Sequence, residues 1–128
     1  MKIAMNIIVT LIGLLATLGW LGLVSNPASV QESFLLIPEG LGGLSNARSD
    51  IGALFLASAL GCFLALRPQG RDFLWVPILL MSSAAVGRLV SLVADGSSDT
   101  SIRGLIVEVI IMVVLGLIWR ARGKASSD

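Results

Sequence analysis

The chain has 128 residues, 55 % hydrophobic and 13 % charged, with a net charge of +1 and no histidine or tyrosine. A soluble domain of this length needs more polar surface, so the composition points to an integral membrane protein, and the absence of a basic stripe or aromatic platform argues against nucleic acid. Lack of histidine excludes His-ligated haem, His-bearing zinc sites and His-based triads; a single cysteine, Cys62, excludes cysteine-held clusters and internal disulfides. No metal or cofactor is implied, and any chemistry rests on carboxylates, arginines, hydroxyls and backbone.

A spanning helix needs about 20 mainly apolar residues. The first such stretch is 3–24. Lys2 followed by an apolar run resembles the opening of a signal peptide, but the run is long and "VSNPAS" lacks a clear small-x-small cleavage site, so it reads as a retained span. The connection that follows carries Pro27 and Ser29 as helix-start signals and ends in glycines. It reads as a short amphipathic helix over 28–37 on the outer surface, with an ordered lid as the alternative.

The second span is 49–66. "RPQGRD" then makes a turn on Pro68 and Gly70, leading into a third span over 73–93. "ADGSSDTS" connects this to a fourth span over 102–119, and residues 120–128 read as a disordered cytoplasmic tail. The expected fold is all-α: one transmembrane domain over 1–128, an up-down-up-down four-helix bundle. If the spans alternate, Lys2, Arg67, Arg71, Arg120, Arg122 and Lys124 share one side. Glu32, Glu39, Asp95 and Asp99 share the other. Positive charge favours the cytoplasmic side, so both termini are expected there. Trp75 and Trp119 then fall near the inner interface and Trp20 near the outer.

Arg88 lies inside the apolar third span, roughly 8–9 Å below its outer end at 1.5 Å per residue. Glu108 enters the fourth span to about the same depth, and Arg48 and Asp50 open the second. These four charges are expected to form one outer-leaflet layer, with Asp95 and Arg103 above it. Helical phase agrees for the last two spans, where Ala84, Arg88, Ser91 and Asp95 form one stripe. Gly104, Glu108, Met112, Leu115 and Trp119 form the other. In the second span Asp50 shares a face with the small-residue ladder Ala53, Ala57, Gly61 and Ala65, and is expected to point into the bundle. Ser49 as N-cap would leave Arg48 outside the helix. An unpaired ion at the bilayer centre costs about 2.5–3.5 kcal/mol. Pairing Arg88 with Glu108 or Asp50 removes much of that cost.

"NARSDIGALFLASALG", "VGRLVSLVADG" and the acid of the fourth span together resemble the bacterial membrane proteins grouped as domain of unknown function 4345. The matching positions are Asn46 and Arg48, Gly52, Gly87, Arg88 and Ser91, Asp95 and Gly96, and Glu108; Asp50 departs from the pattern. The resemblance implies a four-helix fold in a bacterial inner membrane and supplies no activity.

These readings make Asn46, Arg48, Asp50, Arg88, Ser91, Asp95 and Glu108 candidates for binding a ligand or partner. No catalytic residue is assigned. The first-ranked function is an accessory subunit, or a bundle that binds a lipid or apolar ligand. Behind it stand a purely structural assembly factor, a minimal proton- or cation-coupled transporter, and a membrane enzyme using Glu108 or Asp50 as acid/base with Arg88 tuning it. Expected partners are membrane lipid and either further copies of the chain or a larger membrane complex.

Overall fold

The protein is described as a computed structural model, which covers residues 2–27 and 40–124. The surface helix expected over 28–37 lies outside these residues. Among the described residues there is no strand, and four helices are long and apolar enough to cross a membrane. They are α1 (Lys2–Ser25), α2 (Gly40–Leu64), α3 (Trp75–Ala94) and α4 (Asp99–Lys124). The chain is thus an all-α, multi-pass membrane protein.

Three element boundaries differ from expectation. α2 begins at Gly40, not at Ser49, and a single π turn over Ala47–Ile51 interrupts it. Ser49 lies inside that turn and caps nothing. α4 begins at Asp99, three residues before the expected start. Ser98 is its cap, its hydroxyl accepting the Ser101 N–H at 3.1 Å, and the Asp99 carboxylate suits the positive end of the helix dipole. At its other end α4 continues to Lys124, which corrects the disordered tail for residues 120–124. The physical reason is Arg122, which is tied by two hydrogen bonds described below.

The turn between α2 and α3 is built as its residues suggest. Gln69 adopts φ 62°, and Gly70 opens a 3-10 turn, Gly70–Leu74, that feeds α3. A Cβ on Gly70 would collide with the Leu64 carbonyl oxygen, so only glycine fits there. Pro77 sits in the first turn of α3, where its missing N–H leaves no helical bond unmade. Asp95 closes the helix through its N–H to Ser91 O at 2.8 Å, and Gly96 at φ 99° turns the chain away.

Lipid tails are as apolar as leucine, so helix association here depends on close packing and polar ties. α1 and α2 pack along their length through small residues set against rings. Gly13 lies against Cys62 and Phe63, and a Cβ on Gly19 would stand 2.7 Å from Phe55 Cδ1. Gly61 brings α2 close to α3, facing Pro77 and the Phe73 carbonyl. The core gathers at the end that carries both chain termini. Met5 and Val9 of α1, Cys62 and Ala65, Leu74 and Ile78, and Leu115 and Ile118 of α4 form one buried cluster.

Polar ties close the same end. Arg122 of α4 donates to Ala65 O at 2.7 Å and to Asn6 Oδ1 of α1 at 2.8 Å. The Trp119 indole donates to Asp72 Oδ1 at 2.9 Å, and Arg71 pairs with the same oxygen at 3.2 Å. The Arg71 guanidinium lies 4.8 Å over the Trp119 ring, which meets Trp75 edge-on at 5.2 Å. The far half is different: no residue of α3 beyond Ala85, and none of α4 before Leu115, is buried.

Gly70→Ala is expected to destabilise the fold by about 3 kcal/mol, because backbone must move to admit the methyl group. Gln69→Gly is expected to gain about 0.5–1 kcal/mol by relieving the left-handed conformation. Equilibrium unfolding in mixed detergent micelles measures both.

Candidate functional site: an ion pair on an open helical face

The α3–α4 pair holds the one predicted contact between charged spans that the structure forms. Arg88 Nε donates to Glu108 Oε1 at 2.7 Å. The geometry rests on Gly104, one turn before Glu108. A Cβ at Gly104 would collide with Arg88 Cζ and stand 2.7 Å from Nε, so the guanidinium lies in the notch left by the absent side chain. Lower in the same seam Ser82 Oγ sits 2.8 Å from Ile78 O and 3.0 Å from Met112 Sδ. Of the predicted α4 stripe, Gly104, Glu108 and Met112 thus face α3 and Trp119 meets Trp75 of the same helix, while Leu115 joins the buried cluster.

The pair is unevenly covered. The Glu108 side chain is 13 % exposed and that of Arg88 35 %. Glu108 Oε2 is buried and takes no hydrogen bond. The surroundings are apolar and open: Val86, Val90, Ile106, Val107 and Ile110 are all more than half exposed. Arg88 Nε is engaged, while the terminal amino groups of its guanidinium have no hydrogen-bond partner among the described residues. The assembly thus offers guanidinium N–H donors on a largely apolar face, while the second carboxylate oxygen is shielded.

The other predicted members of the layer lie elsewhere. Asp50 is exposed, takes a hydrogen bond from Ser49 Oγ at 3.1 Å and makes no ion pair among the described residues, so it neither points into the bundle nor joins Arg88. Arg48 reaches α1, donating from Nε to Val24 O at 3.2 Å, where a cation suits the carbonyl end of that helix. Asn46 is exposed one residue before the π turn, its carbonyl 3.5 Å from Ser49 Oγ. Ser91 and Asp95 are exposed on the outer turns of α3. One expected layer is in fact two separate groups, an ion pair on α3–α4 and an arginine cap on α1–α2.

The π turn accounts for the difference. It inserts one residue relative to α-helical phase, so a face extrapolated backwards from Gly61 and Ala65 is wrong by about 100° once it crosses residues 47–51. The ladder itself is buried only at Gly61 and Ala65; Ala53 is exposed. Sequence reasoning missed Asn6 and Asp72; it placed Gly104 and Trp119 on the α4 stripe and Arg122 among the inner-side charges, but not the contacts they make. Asn6, an amide in an apolar run, was the available signal for the polar ties at the terminal end. Among the described residues no three His, Cys, Asp or Glu side chains come together as a metal site. No known protein family, curated protein or solved structure matches the chain.

Glu108→Gln alone is expected to lower stability by about 2 kcal/mol, since it weakens a charge-assisted hydrogen bond. Adding Arg88→Gln is expected to restore about half of this, a coupling of about 1 kcal/mol. Strictly additive losses in a double-mutant unfolding cycle would contradict a working pair. Gly104→Ala is expected to displace the guanidinium and reproduce most of the Glu108→Gln loss.

Proposed function

We propose that the protein is a small accessory subunit of a bacterial inner membrane, and that the open face of α3–α4 docks a spanning segment of a larger membrane complex. The observation that carries this reading is the half-covered Arg88–Glu108 pair. Lipid tails provide no acceptor, so guanidinium N–H groups left unmet and one-third exposed in the apolar zone favour a partner that supplies one. A helix bearing an amide or hydroxyl side chain has the needed chemistry, and its apolar residues would cover Val86, Val90 and Ile106.

In this reading both termini are cytoplasmic. The gathering of Lys2, Arg67, Arg71 and Arg122 at one end supports that orientation, as does the Trp75–Trp119 contact at the same level. Membership of the domain of unknown function 4345 group is part of the proposal, with Gly87-Arg88 and Asp95-Gly96 as the residues it rests on. A transporter using Glu108 for proton coupling is less well supported, because the arginine at 2.7 Å holds one of its oxygens. The same pairing weighs against Glu108 as a free acid/base.

Native mass spectrometry of the protein extracted from its own membranes in mild detergent tests the reading. A stoichiometric second polypeptide is expected, and it should fall at least tenfold in an Arg88→Leu/Glu108→Leu variant that keeps the face apolar. A retained amphiphile lost in that variant would instead make the pair a ligand site. A chain with nothing bound, or a variant that keeps its partner, would overturn the docking reading.

A further inference from the structure

At the opposite end of the molecule the bundle carries an open cleft of about 470 Å³. Lys2, Arg67, Arg71 and Arg122 line it, against the single carboxylate of Asp72. The whole chain carries a net charge of only +1, so the concentration here is local. The cations come from the start of α1, the α2–α3 turn and the end of α4, and the fold brings them together.

Two of these cations are already oriented. Arg122 is fixed by Ala65 O and Asn6, and Arg71 by Asp72 and the Trp119 ring. Asp72 Oδ1 takes both the Trp119 indole N–H and the Arg71 N–H, which partly offsets the one negative charge. Lys2 and Arg67 are exposed, and neither has an ion-pair partner among the described residues. Oriented donors beside two uncommitted cations make a receptor for a compact oxyanion. The cleft also lies at the level of the Trp75–Trp119 contact, where tryptophan favours the headgroup region, and Met5 and Leu66 give it an apolar wall.

We propose that this cleft binds a phosphate oxyanion, carried by the headgroup of an acidic phospholipid or by a free phosphate. The site is independent of the docking face on α3–α4 and needs only that the chain is embedded in a membrane. Basic pockets between spanning helices are suited to acidic headgroups, and the apolar wall would lie along the glycerol and upper acyl chain.

The test uses the delipidated full chain in detergent. Native mass spectrometry with equimolar phosphatidylglycerol and phosphatidylcholine reads the lipid arm, and calorimetric titration with inorganic phosphate reads the free-anion arm. The expected result is preferential retention of phosphatidylglycerol, falling roughly tenfold in Lys2→Gln/Arg67→Gln, which removes two charges near the headgroup. Lys2→Arg/Arg67→Lys should keep the preference, and so should Arg88→Leu/Glu108→Leu, altered at the far end. Should the glutamine variant fail to fold, a salt series on the wild type replaces it, with the preference expected to decline as ionic strength rises. Phosphate titration lost in the glutamine variant, without lipid preference, would assign the site to a free phosphate. Equal retention of both lipids with no phosphate binding would overturn the proposal, as would a folded glutamine variant that binds like the wild type, or a preference indifferent to salt.

Discussion

One guanidinium holds the molecule together at one end. Arg122 of α4 reaches the Ala65 carbonyl just past the end of α2 and the Asn6 amide of α1, so three helices converge on a single planar fork. Van der Waals packing alone has little means of choosing one helix arrangement over another in lipid, where the alternative to a neighbour is an equally apolar acyl chain. A charged group with two fixed acceptors does choose. The buried cluster around Val9, Cys62, Leu74 and Leu115 lies next to this tie, and the packing is densest where the polar contacts have already set the spacing.

The two ends of the bundle consequently have different characters. At the terminal end charges are numerous and most are answered within the protein or face the headgroup region. At the far end α3 and α4 leave most of their surface bare and place one ion pair on it. Apolar exposure alone is ordinary for a spanning helix. An ion pair in that setting is not, because its remaining hydrogen-bonding capacity has to be met by something other than hydrocarbon.

Much of this architecture was legible in the residues, and the limits have physical causes. Four spans follow from apolar run length, which depends on composition and not on tertiary contacts. Arg88 and Glu108 could be matched because each sits in uninterrupted α-helix, where depth and phase both extrapolate. Asp50 could not, because it lies within a π turn that breaks its phase with the ladder used to orient it, and no residue type announces such a turn. The early start of α4 was written in Ser98-Asp99, a capping signal hidden in a stretch that also looks like a loop. The ordered end of α4 was obscured for another reason. Arg122 is a topogenic charge by its position, and its structural part depends on a carbonyl at residue 65 and an amide at residue 6, both remote in sequence.

The notch at Gly104 restricts how the last two helices can move against each other. One helical turn away in either direction, about 5.4 Å along the axis, stand Thr100 and Glu108. Both carry the Cβ whose absence at Gly104 makes room for the guanidinium. α3 therefore cannot shear along α4 and settle one turn higher or lower with the arginine still seated. Rocking about the seated arginine needs no such displacement, which leaves hinge-like opening as the mechanically available motion of this pair.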